Sequence, residues 1–162
     1  MKLSLCINST DESSEDCDSS NNPDYPDINR IAGVLEHELE TLYPASKNYE
    51  NAEISITFVK PEEIRVLNHE YRNVDEATDV LSFPMELDEN ENLPVLMLGD
   101  ILICPDEVSR LHPELESHEA MCLMIAHSFL HLLGYDHDTQ EKENEMWHIQ
   151  DEIKSKLLEG LR

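Results

Sequence analysis

The amino-acid sequence predicts an α+β fold, a single domain over residues 1–162 in which a small, mixed four-stranded sheet packs with helices. Three observations point there. A chain of 162 residues is the length of one domain and can bury a core without disulfide or metal staples. Hydrophobic residues make up 40% of it, enough to drive collapse despite a strong acidic bias. Finally, strand-like and helix-like segments interleave along the chain, as expected for one layered domain, and no internal repeat is visible.

Taken in order, residues 2–7 alternate and read as a short strand. Asn8 to Asp24 holds six acids and no basic residue, with many Ser and Asn. Such a stretch has little apolar area to bury, so 8–25 is expected to be a mobile acidic loop, with a binding tail as the alternative. Pro26-Asp27 opens a helix with Ile28, Ile31, Leu35 and Leu39 near helical spacing. Glu53 to Val59 alternates and is β-branched, which predicts a strand. Lys60-Pro61-Glu62-Glu63 starts a helix, with Pro and acids in its first turn, that carries Ile64, Leu67 and Tyr71. Asp79 to Phe83 is a short strand stopped by Pro84, and 86–94 is an acidic loop. Gly99 to Cys104 is apolar enough to lie inside the sheet, and Pro105 to Arg110 begins a short helix. Glu114 to Leu133 is apolar on nearly every face from Ala120 onward, which predicts the buried central helix. Gly134 ends it where a left-handed residue is wanted, and Thr139 to Leu158 forms a charged amphipathic helix.

Charge argues against some partners. Asp and Glu number 36 against 11 Lys and Arg, a formal net charge of −25, and the 8–25 segment accounts for only six of those charges. A polyanion is repelled by nucleic acid and by anionic membrane, so the global balance disfavours both. Cys6, Cys17, Cys104 and Cys122 form no C-x-x-C pair and no secreted disulfide framework. No apolar run approaches the roughly 20 residues that span a bilayer. The N-terminal apolar stretch is too short for a signal-peptide core, so a cytoplasmic location is expected.

The chemistry concentrates in Ala126 to Asp138, AHSFLHLLGYDHD. His127 and His131 lie four residues apart on the buried helix. That spacing turns the helix by about 400° and advances it about 6 Å, so both imidazoles leave one face. Gly134 lets the chain reverse and His137 return, giving H-x-x-x-H-x-x-G-x-x-H and three nitrogen ligands for one divalent metal ion. Three separately hydrogen-bonded histidines are the plainer alternative, but imidazoles desolvated on an apolar helix need partners, and a metal supplies one. Three neutral histidines suit zinc (Zn²⁺) with an open position for a metal-bound water, an arrangement that favours catalysis over scaffolding. Asp136 and Asp138 flank His137 and could orient a ligand or simply be solvated. His37, His69, His112, His118 and His148 lack this convergence and read as surface or helix-end residues. The spacing matches the long zinc-protease motif H-E-x-x-H-x-x-G-x-x-H, and the central helix is zincin-like in carrying the ligands. Ser128, however, stands where that motif has its Glu base, which makes a metalloprotease or amidase the second choice.

HSFLHLLGYDH at 127–137 resembles the H-G-x-L-H-L-x-G-Y-D-H signature of the YbeY family, bacterial metal-dependent endoribonucleases specific for single strands and linked to ribosomal RNA maturation. A second block agrees: Asn68, Tyr71, Arg72, Asp75, then Thr78-Asp79-Val80-Leu81-Ser82-Phe83-Pro84, followed by Gly99-Asp100-Ile101. The resemblance implies a zinc-type ion on His127, His131 and His137, RNA as substrate, and a role in 16S 3′-end maturation and ribosome quality control with small-subunit partners. It also implies that Arg72 is functional. A guanidinium there can grip a phosphate bidentately and offset developing charge, whereas its plain alternative is an ion pair with Asp75 or Glu76. Thr78, Asp79 and Ser82 are either turn and strand-end caps or residues bordering the cleft. Ser128 replaces the family Gly, and a hydroxymethyl group expected beside the metal would put activity, not metal binding, in doubt. A non-catalytic ribosome-associated factor with a structural metal is the remaining alternative.

Overall fold

The computed structural model describes residues 1–10, 27–85 and 94–159. Most of the expected 8–25 and 86–94 loops, together with Cys17 and Pro26, lies outside the described residues. The described elements run β1 (Lys2–Ser9), α1 (Ile28–Leu42), a 3-10 turn (Pro44–Asn48), β2 (Asn51–Phe58), α2 (Pro61–Arg72), β3 (Val80–Pro84), β4 (Val95–Ile103), α3 (Pro105–Leu111), α4 (Ser117–Leu132) and α5 (Gln140–Leu158). This is an α+β arrangement with one four-stranded mixed sheet, as the sequence predicts.

The strands lie in the order β1-β2-β4-β3. β1, β2 and β4 are parallel, and β3 runs antiparallel to β4 from Val80 opposite Ile103 to Pro84 opposite Gly99. One correction falls at the start of the chain. Asn8 and Ser9, assigned to the acidic loop, belong to β1 and pair with Thr57 and Phe58. Their polar side chains face out at the end of the strand, so composition hides the pairing that their backbones make.

α1, α4 and α5 pack on one face of the sheet. Leu35 and Leu39 of α1, Ile54 and Ile56 of β2, Leu98 and Ile101 of β4, Phe129 and Leu130 of α4, and Met146 and Ile153 of α5 share one core. A smaller cluster of Val59, Ile64, Leu81 and Cys104 seats α2. β4 begins four residues before the expected Gly99: Val95 to Leu98 is continuously apolar, so no alternation marks it as strand, and a bulge near Leu98 shifts the pairing with β2. Gly99 adopts φ +138°, and a Cβ there would run into the Phe83 carbonyl oxygen of β3 and the Leu132 side chain of α4. No described helix is long and apolar enough to cross a membrane.

α4 is the central helix, with ten of its residues buried from Ala120 to Leu132. Its end explains the turn that follows. The Gly134 N–H bonds the His131 carbonyl at 3.0 Å, the Tyr135 N–H bonds the Leu130 carbonyl at 3.0 Å, and Gly134 has φ +94°. This is a Schellman end, in which glycine at the left-handed position lets the chain reverse while two orphan carbonyls are satisfied.

Candidate functional site

α4, the reversed segment after it, β3 and the end of α2 enclose a cleft of about 730 Å³. His127, His131 and His137 line it, together with Arg72, Thr78, Asp79, Ser82 and Tyr135. The three histidines and Arg72, singled out from the sequence, therefore share one concavity although 65 positions separate the first from the last.

The histidines differ in their setting. His127 Nε2 and His131 Nε2 are 3.0 Å apart, and the rings meet edge to face with centroids 4.5 Å apart. The His137 ring stands beside them, 5.5 Å from His131 and 6.1 Å from His127 between centroids. Burial pushes the His127 and His131 imidazoles below the ordinary histidine range, and the neighbouring histidines push in the same direction. A hydrogen bond to Gln150 opposes this at His127, and the Tyr135 backbone opposes it at His131. Both shifts favour the neutral ring, the form that offers a lone pair.

The donor set fits a metal ion in its chemistry. Gln150 Oε1 lies 2.8 Å from His127 Nδ1, so Nδ1 carries the proton and Nε2 is left as the acceptor facing His131. Two nitrogens 3.0 Å apart come close to the ~3.3 Å edge of a tetrahedral site with metal–nitrogen bonds of about 2.0–2.1 Å. His137 does not close the set. Among the described residues no three His, Cys, Asp or Glu side chains meet at one coordination point. The His137 side chain is 53% exposed, and its Nδ1 lies 3.5 Å from Asp136 Oδ1, so its ring has room to turn.

Arg72 is the last residue of α2 and is exposed at the cleft. The ion pair weighed for it does not form. Asp75 is taken by Arg65 at 2.9 Å, and that partner holds the Asp75 carboxyl below the usual range. Glu76 contributes its backbone carbonyl to Asn68 Nδ2 at 2.9 Å. Arg30 bonds the Lys156 carbonyl and Arg110 bonds Glu107, so every other described arginine is engaged. A shallower depression of about 560 Å³ carries Arg65 and Arg110, both already neutralised by those acids.

Thr78, Asp79 and Ser82 do border the cleft. Asp79 is also a cap: its Oδ1 accepts from the Val80 N–H at 2.8 Å and stands 3.2 Å from Thr78 Oγ1, while its Oδ2 is 2.9 Å from His112 Nε2. His112, at the end of α3, is thereby tied to the cleft wall. Asp136 lines the cleft and accepts from the His137 N–H at 2.7 Å. Asp138 instead pairs with Lys142 on the surface at 3.4 Å. Ser128 departs from expectation. It is wholly buried, its Oγ has no partner among the described residues, and it does not line the cleft, because one helical residue past His127 the side chain has turned about 100° into the core. The expected place beside the metal is therefore not where its hydroxymethyl group lies. Gln150 is the residue that sequence reasoning missed. The signal was present, since Gln150 interrupts the otherwise apolar stripe Met146, Ile153, Leu157 that buries α5.

A family model described as Endoribonuclease YbeY matches residues 17–158. Curated relatives carry the same description. One from Clostridioides difficile is 42% identical over 67% of this chain and 73% of its own length. One from Thermoanaerobacter sp. is 34% identical over 86% of this chain and 96% of its own. A third, from Staphylococcus saprophyticus, is 40% identical over 72% and 82% respectively. The solution structure of TM1509 from Thermotoga maritima aligns over 98% of this chain and 92% of its own with a TM-score of 0.53, a likeness of fold at 23% identity.

Proposed function

The chain belongs to the YbeY endoribonuclease family, and on that premise we propose that it is a hydrolase cleaving single-stranded RNA in this cleft during ribosomal RNA maturation, in the company of the small ribosomal subunit. The observation that carries the reading is an arginine with no described carboxylate partner in the same cleft as a half-buried pair of histidines whose Nε2 atoms converge.

His127, His131 and His137 would hold one divalent ion, and three neutral imidazoles with an open fourth position suit zinc. Such an ion, when bound, supplies Lewis acidity toward a phosphodiester oxygen and lowers the pKa of water. The chain's own groups do the rest. Gln150 fixes the His127 tautomer and the direction of its Nε2 lone pair. Arg72 offers parallel N–H donors to the two non-bridging phosphate oxygens and offsets the charge that grows on them during attack. Asn68 holds the backbone at Glu76, bracing the loop that follows Arg72. Peptide hydrolysis is less well supported, since the position of its carboxylate base is Ser128, buried away from the cleft.

Two variants test the assignment together. His131→Ala should lose bound metal, by elemental analysis, and lose cleavage of single-stranded RNA. Arg72→Ala should keep the metal and lose cleavage by about 100-fold or more, the scale of removing one charge-stabilising donor. Metal retained by His131→Ala, or undiminished cleavage by Arg72→Ala, would overturn it. A 2′,3′-cyclic phosphate product would identify the RNA 2′-hydroxyl as nucleophile in place of water.

A further inference from the structure

Tyr71 is left 62% exposed at the end of α2, although large aromatic side chains usually hide most of their surface. It does not stand alone. Its ring meets Phe83 of β3 edge to face, with centroids 5.0 Å apart and planes at 68°. Both rings line the same cleft as the three histidines, and Tyr71 immediately precedes Arg72.

The arrangement combines three properties. The edge-on contact with Phe83 restrains the Tyr71 ring, so little rotamer freedom is left to lose on binding. The contact covers only part of the ring, and the exposure shows that the remainder faces open space. Arg72 sits one residue away, so a group lying on the ring is within one nucleotide of a phosphate gripped by the guanidinium. Aromatic faces beside a phosphate-binding cation are how proteins hold unpaired bases, because every base offers a π-face that duplex stacking otherwise occupies.

We propose that Tyr71, braced by Phe83, is the stacking platform for the base adjoining the scissile phosphate, and that this contact contributes to selecting unpaired over duplex RNA. The inference rests on the RNA-hydrolase reading of the same cleft and adds a specificity-determining residue to it. A base inside a helix is stacked on both faces and presents no surface to Tyr71, whereas a splayed base does. In a protein of net charge −25, a neutral stacking contact also supplies binding that charge does not.

The test compares wild-type protein, Tyr71→Leu and Tyr71→Phe on a short single-stranded RNA, on the same RNA abasic at the nucleotide beside the cleavage site, and on one carrying 2-aminopurine there. Tyr71→Leu should raise KM on the intact RNA roughly tenfold, with a smaller change in kcat. It should also abolish the fluorescence quenching that stacking imposes on 2-aminopurine. Tyr71→Phe should retain both properties, and the abasic RNA should no longer distinguish wild type from Tyr71→Leu. If wild type cleaves single-stranded RNA and Tyr71→Leu matches it in KM and quenching, the platform is wrong while the hydrolase reading stands. If wild type neither cleaves nor binds RNA, the hydrolase reading fails and takes the platform with it.

Discussion

The two nitrogens of His127 have different partners, and that asymmetry gives the ring a direction. Nδ1 meets Gln150 Oε1 at 2.8 Å on the α5 side, so Nε2 is turned toward His131 and the cleft. Gln150 therefore acts through His127, as a positioning residue. Gln150→Ala should weaken metal affinity about 10- to 100-fold, the usual effect of removing the outer partner of a ligating histidine, while His127 itself stays in place. Competition with a chelator measures this, and unchanged affinity would assign Gln150 a packing role only. The residue scale is also where the sequence was least complete. His127 and His131 were legible from motif spacing, and Arg72 from the resemblance of the block around it to the family signature, since its residues alone left an ion pair equally open. Gln150 was not read, since its partner lies 23 positions away on another helix, and Ser128 was misplaced because a residue next to His127 in sequence need not share its face.

Among the elements, β3 and the end of α4 set the two walls of the cleft, and a glycine governs each. At Gly134 the backbone has φ +94°, and a Cβ there would meet nothing within 4 Å, so Gly134→Ala brings strain without collision. At Gly99 the backbone has φ +138°, and the methyl would strike the Phe83 carbonyl, which cannot move without displacing β3. Gly134→Ala should thus cost about 1–2 kcal/mol and Gly99→Ala about 3 kcal/mol or more, read from urea unfolding. Gly99→Ala should in addition impair the cleft, because Val80 to Pro84 line it. Equal costs for the two would show that left-handed strain, not the close approach of β3, dominates. Most elements were legible as periodicity: Leu35 and Leu39 at helical spacing, Ile54 and Ile56 in alternation, the apolar run of α4. The first half of β4 was not, since Val95-Leu96-Met97-Leu98 is continuously apolar and the bulge interrupts its period. The 3-10 turn at Pro44–Asn48 carries no periodic signal in five residues.

Across the whole molecule the net charge of −25 sets the long-range physics of an RNA-cleaving protein. A protein that binds RNA through a basic face releases counterions, and its affinity falls steeply as salt rises. Here the described arginines at 30, 65 and 110 are each bonded to protein acceptors, and Arg72 alone of them faces the histidine cleft. Among the described arginines the one free to attract phosphate is therefore at the cleft, while the net negative charge repels phosphate over a Debye length that shrinks from about 30 Å at 0.01 M salt to about 10 Å at 0.1 M. Raising salt screens the wide repulsion more than the close contact between Arg72 and phosphate, and Mg²⁺ on the RNA reduces the repulsion further. KM for a short single-stranded RNA should consequently be high at low salt, fall or stay level as KCl rises toward about 0.15 M, and fall with added Mg²⁺. Steady-state cleavage across a salt series measures it. A KM that climbs steeply with KCl would reveal a basic surface that the charge balance denies. A flat or falling one places the burden of productive docking on something that neutralises or bridges the acidic exterior, the part a partner on the ribosomal subunit is suited to play.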